Sequence, residues 1–122
     1  MFFNEKIVEE LISDCKNYPE YAVGIFIKSK DDMEGVYNKI TKHISSAEIK
    51  KERSNVDYQI NIRLNNDSII DLLVISGSGC MRRYETIIYD DGLDENLITP
   101  SIIAYVPNPQ IGAKEYKIDR WL

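Results

Sequence analysis

The chain predicts an α/β fold, with a single-domain mixed sheet, a central β-hairpin and two principal helices. Three observations carry that expectation. Two amphipathic helical patterns flank "YAVGIFIK", which is apolar at almost every position. A strand that alternates, "DYQINIRL", meets turn residues and returns as "SIIDLLVIS". A second apolar run, in "YETIIYD", follows a glycine-containing loop. Apolar runs of strand length fit strands buried on both faces, and alternation around a turn fits a hairpin.

Each element has its own signals. Over 4–17, Ile7, Val8, Leu11, Ile12 and Cys15 recur at helical spacing, Asn4 is placed to cap, and Tyr18-Pro19 ends the helix. Glu5 in the first turn and Lys16 in the last both suit the helix dipole. After the strand over 21–28, Ser29 and Asp32 have capping-box spacing for a second helix. Met33, Val36, Tyr37, Ile40 and Ile44 form its apolar stripe. "SSAEIKKERSN" reads as a polar loop. In the hairpin, Tyr58, Ile60, Ile62 and Leu64 share one face, and Asn65-Asn66-Asp67 supplies the turn. "GSGCMRR" is a loop, "YETIIYD" a buried strand, "LDENLI" a short helix or turn, and "PSIIAYV" a last strand. The predicted domain covers 1–106. A tail over 107–122 ends in Trp121 and Leu122, too apolar to be left in water and expected to dock on the domain or on a partner.

A length of 122 residues suits one domain with one core. No window approaches the roughly 20 apolar residues that span a bilayer, and the start lacks the pattern of a secretion signal. The cytoplasm is the expected compartment, and Cys15 and Cys80 are read as free thiols. The net charge of −5 argues against direct nucleic-acid binding, which needs a basic surface, and suits a protein partner with a basic face or groove.

The order and spacing resemble the ATPase domains of phage terminase large subunits and the helicase-like ATPases related to them. "NEKIVEELISDCKNYPEYAVGIFIKSKDDMEGVYNKI" looks like the first helix, strand and second helix that come after the phosphate-binding loop in that family. "INIRLNNDSIIDLLVIS" looks like its hairpin, with Asn66-Asp67-Ser68 at the turn. "SGCMRRYETIIYDD" looks like its arginine-bearing loop and acidic Walker B strand, and "ENLITPSIIAYV" resembles the segment beyond that strand. The resemblance spans about 4–106.

Two departures shape what it implies. No GxxxxGK[ST] is present, so the amides, lysine and hydroxyl that hold nucleotide phosphates and Mg²⁺ are missing. The second Walker B acid, normally Glu, is Asp91. The resemblance therefore implies a degenerate ATPase scaffold of phage or mobile-element origin, non-catalytic, with no cofactor. Such a protein is expected to act by protein–protein interaction, modulating a packaging or replication ATPase or inhibiting a host defence nuclease through its basic groove. The alternative is half of a split NTPase, with the phosphate loop supplied by another subunit and Mg²⁺ held by Asp90 and Asp91. A homodimer through a sheet edge or the Trp121 tail is a third reading.

Several residues are candidates for a site, and each also has a plainer role. Asp90 and Asp91 are candidate metal ligands, or an acidic turn leading into Gly92; Asp94 and Glu95 add negative charge nearby. Ser76–Gly79 with Arg82 and Arg83 could form an anion nest with a cationic rim, or a flexible connection whose arginines pair with Asp90 or Asp91. Cys80 beside two arginines has His43 as its one available base, a thin basis for a hydrolase. The eight tyrosines suit either strand packing or a protein-binding face, and Trp121 is a candidate contact in the tail.

Overall fold

The computed structural model describes residues 1–55, 59–74, 82–93 and 104–122. Helix α1 (Glu5–Asn17) begins where Asn4 Oδ1 accepts the Ile7 N–H at 3.0 Å, and its five expected apolar residues are all buried. Strand β1 (Ala22–Ile27) is buried at all six positions, as its unbroken apolar run requires. Ser29 then caps a 3-10 turn (Lys30–Asp32), accepting from Asp31 N at 3.2 Å rather than capping a helix through Asp32. Helix α2 (Met33–Thr41) follows, with Asp32 at its N-cap and no side-chain capping bond. Met33, Val36 and Ile40 are buried along it.

The polar stretch expected as a loop is instead a 3-10 turn and strand β2 (Ile49–Asn55). Strand β2 pairs antiparallel with β3 (Gln59–Leu64), and β3 with β4 (Ile69–Val74). Strand β2 lies at the edge of the sheet, where charged side chains guard unpaired backbone groups. Its lysines and arginine are therefore compatible with a strand that apolar periodicity alone misses. The hairpin between β3 and β4 turns at Asp67, whose φ of 67° is left-handed.

Two short strands, β5 (Arg83–Tyr84) and β7 (Ala104–Tyr105), make a separate parallel ribbon. The described part of the expected last strand thus lies outside the main sheet. Strand β6 (Thr86–Asp90) joins β1, and β8 (Lys114–Ile118), drawn from the tail, joins β6. The six-stranded order is β2-β3-β4-β1-β6-β8. Strands β4, β1, β6 and β8 run parallel, while β2 and β3 complete an antiparallel meander. The fold is mixed α/β, as the apolar runs and the hairpin predict.

The main core joins both helices to one face of the sheet through Val23, Ile25, Ile62, Ile70, Leu72 and Ile88. A smaller cluster on the opposite face gathers Ala22, Phe26, Ile69, Tyr84, Ile87 and Tyr89. Gly24 makes this second layer close: a Cβ there would lie 2.7 Å from Tyr84 Cδ2. Among the described residues, no helix is long and apolar enough to cross a membrane.

Candidate functional site

Parallel strands collect their carboxyl ends at one edge, the place where α/β sheets set their ligands. Strand β6 reaches that edge at Asp90, between β1 and β8. Asp90 Oδ1 accepts the Gly92 N–H at 2.8 Å, and Oδ2 accepts the Trp121 indole N–H at 2.7 Å. Leu93 N donates to Asp90 O at 3.1 Å and Asp91 N to Ile118 O at 2.8 Å. The acidic pair therefore opens a turn whose backbone is tied to β8. Asp91 is exposed to solvent. A Cβ at Gly92 would lie 3.0 Å from Lys28 Nζ, so the end of β1 delivers an ammonium to the same turn.

Trp121 is buried and packs on Phe3, with ring centroids 5.2 Å apart. The tail thus docks on its own domain at this tryptophan, while Leu122 stays exposed. The structure brings Asp90 and Trp121 together, a pairing the sequence does not announce because the two lie far apart in the chain.

The arginines go elsewhere. Arg82 Nε lies 3.5 Å from Asp71 Oδ2, rather than serving only as a candidate partner for the acidic pair. Arg83 is exposed on β5. Asp94, Glu95, Cys80 and the Ser76–Gly79 stretch lie outside the described residues. Cys15 is buried and free, and its burial raises the thiol pKa far above its ordinary value, so it carries no thiolate chemistry.

Two buried acids are not among the residues that the sequence singles out. Asp71 sits in β4, only 2% exposed, and accepts from Asn61 Nδ2 at 2.5 Å and Tyr84 Oη at 2.8 Å. Glu85, between β5 and β6, is also buried and accepts from Gln110 N at 2.7 Å and Gln110 Nε2 at 3.2 Å. A charged residue inside an apolar strand run is itself the signal, since a buried carboxylate needs partners.

A set of metal-competent side chains is present away from Asp90: Glu5, Glu9 and His43 hold one ligand atom each within 4.8 Å of one another. Glu5 Oε1 and His43 Nε2 are in hydrogen-bond contact there, joining the start of α1 to the turn after α2. Glu5 and Glu9 face solvent. No family model, curated protein or solved structure matches the chain.

Proposed function

We propose that the chain is a non-catalytic binding protein of phage or mobile-element type, working through protein–protein contact on a degenerate ATPase-like scaffold. The observation that carries this reading is the state of Asp90. Both of its carboxylate oxygens are hydrogen-bonded within the fold, one to the turn and one to Trp121. Each Asp90 oxygen already accepts one of these bonds, and a cation at Oδ2 would have to share that oxygen with the indole that anchors the tail. The carboxylate that resembles a Walker B acid thus acts as a fastener for the C-terminal segment.

The partner class is a protein with a basic groove, such as a nucleic-acid enzyme or a defence nuclease, in the cytoplasm. Its support is the net charge of −5 and the exposed Asp91 beside the docked tail. The split-NTPase reading has one observation in its favour, the position of Asp90 and Asp91 at the carboxyl edge of four parallel strands.

Calorimetry with Mg²⁺ and a non-hydrolysable nucleotide separates the two. The binding-protein reading expects no Mg²⁺-dependent heat that Asp90→Asn removes, and affinity capture that enriches one defined protein over a charge-matched control. Saturable Mg²⁺–nucleotide binding that Asp90→Asn abolishes would overturn it and install the split NTPase.

A further inference from the structure

Beyond that role, and on another part of the molecule, we infer that the face of the β2–β3–β4 meander holds a binding site for a compact phosphate anion. The ligand class is a small molecule bearing a phosphate or pyrophosphate group.

The register builds the site. Lys51 stands directly opposite Arg63, and Arg53 directly opposite Asn61, in the β2–β3 ladder. Asn61 is in turn opposite Asp71 across β3–β4. These residues lie at alternate positions, so their side chains share one face of the sheet. Arg82 reaches the same place from beyond β4 by its contact with Asp71. Together, Lys51, Arg53, Asn61, Arg63, Asp71 and Arg82 line a cavity of about 280 Å³.

Charge then decides what the cavity takes. Among the described residues, four cationic side chains and one carboxylate line the cavity. That carboxylate already accepts from Asn61 and Tyr84 and touches Arg82, so it offers little to the other three cations. Like charges directly opposite in a sheet destabilise it, and Lys51 and Arg63 are such a pair. In a chain of net charge −5, basic residues gathered on one face mark a local reversal of sign. Guanidinium groups present planar forks that match phosphate oxygens bidentately, which favours phosphate over a monovalent anion. The small volume of this half-open cavity favours a single phosphate or pyrophosphate group over a nucleic-acid backbone, which needs an extended basic track.

The test is a calorimetric titration of the full chain with inorganic pyrophosphate at low ionic strength. Chloride and a single-stranded oligothymidylate form the comparison arms. Saturable pyrophosphate binding is expected, weakened about tenfold or more in Arg53→Ala/Arg63→Ala. The control Lys42→Ala/Lys50→Ala removes the same charge outside the cavity and is expected to stay within about twofold of wild type. Arg63→Lys keeps the charge without the fork and is expected to fall between. Thermal melting of each variant confirms folding, and pyrophosphate should raise the midpoint of the wild type but not of the arginine double variant. No saturable heat for wild type at millimolar pyrophosphate, or equal losses in the two double variants, would overturn the site. Tighter binding of the oligothymidylate than of pyrophosphate through the same arginines would overturn the small-ligand assignment.

Discussion

Asp90 shows how little of a side chain's role its type reveals. Its two oxygens accept the Gly92 and Trp121 N–H groups at 2.8 and 2.7 Å, so turn and tail depend on one carboxylate. Asp90→Asn retains one carbonyl oxygen but turns an N–H donor toward the second partner. Trp121→Phe keeps most of the ring and removes the indole donor. Each is expected to lower stability in urea denaturation by about 1–2 kcal/mol, the scale of a hydrogen bond to a charged group. The double variant should lose less than the sum, because both remove the same contact. Additive losses would show that the two residues act independently. The chain has one tryptophan, so its emission reports the contact directly, and Asp90→Asn should shift it to the red. At this scale the sequence marks Asp90 and Trp121 separately, since an acid ending an apolar strand and an aromatic at a tail end both attract notice. It does not join them, because the pairing depends on where β8 lies. Asp71 and Glu85 were legible in principle, as charges inside apolar runs, and their partners Asn61, Tyr84 and Gln110 come from other elements.

Elements with apolar periodicity were legible, and those held in place by polar side chains were not. Helix α1, β1, β3, β4 and β6 each carry a core face that can be read from spacing. Strand β8 alternates charged and half-buried residues, and its place comes from Lys114, whose ammonium sits 2.8 Å from both Glu10 and Asp14 on α1. Tyr116 Oη adds a bond to the same Glu10 oxygen at 2.9 Å. The hydrogen bond from Lys114 holds the Glu10 carboxyl below the usual range, against the upward pull of burial. For Lys114 burial pulls the pKa down, but the bonds to Asp14 and Glu10 prevail and raise it. Lys114→Met should therefore cost about 1–2 kcal/mol at neutral pH, between the values for exposed and buried pairs. The lowered Glu10 contributes stability above its unfolded pKa of about 4.3 and loses it as pH falls through the lower folded value. The raised Lys114 contributes below about 10.4 and loses it only as pH rises through its higher folded value. The difference between wild type and variant should thus be flat from roughly pH 5 to 10 and shrink outside that window, as chemical denaturation across pH would record. Glycine positions give a second contrast. Gly24→Ala would press a Cβ against Tyr84 in a packed layer and should cost about 1–3 kcal/mol. The three atoms nearest a Cβ at Gly35 all belong to the exposed, movable Leu122, and Gly35→Ala gains helix propensity of up to about 1 kcal/mol, so its midpoint should hold or rise.

Across the whole molecule, the two ends of the chain are fastened to each other and to α2. Phe3 N donates to Arg120 O at 2.8 Å, and the Phe3 ring packs on Trp121. Lys39 Nζ donates to Phe3 O at 3.0 Å and to Trp121 O at 2.6 Å, while its ammonium stands 4.4 Å from the Phe2 ring centroid. Burial lowers the Lys39 pKa, while Lys39 itself stays half-buried. Edge strands and termini ordinarily open at low free energy, well before the core. The clamp predicts otherwise for β8 and the N-terminal segment. In native-state hydrogen exchange, the Phe3 amide and the Lys114 amide, which donates to Glu85 O at 3.0 Å, should open with the same free energy as the central Glu85 amide, which donates to Ala22 O at 2.8 Å. Trp121→Ala removes a buried aromatic at a cost of about 3–5 kcal/mol, against a usual domain stability of about 5–15 kcal/mol. If the ends and the centre form one cooperative unit, all three amides lose protection together by that amount. If Phe3 and Lys114 lose protection while Glu85 keeps it, the tail is a separate unit laid on an autonomous sheet. That outcome would also free Asp90 Oδ2 from the Trp121 indole without unfolding the domain, leaving that oxygen less encumbered for a metal.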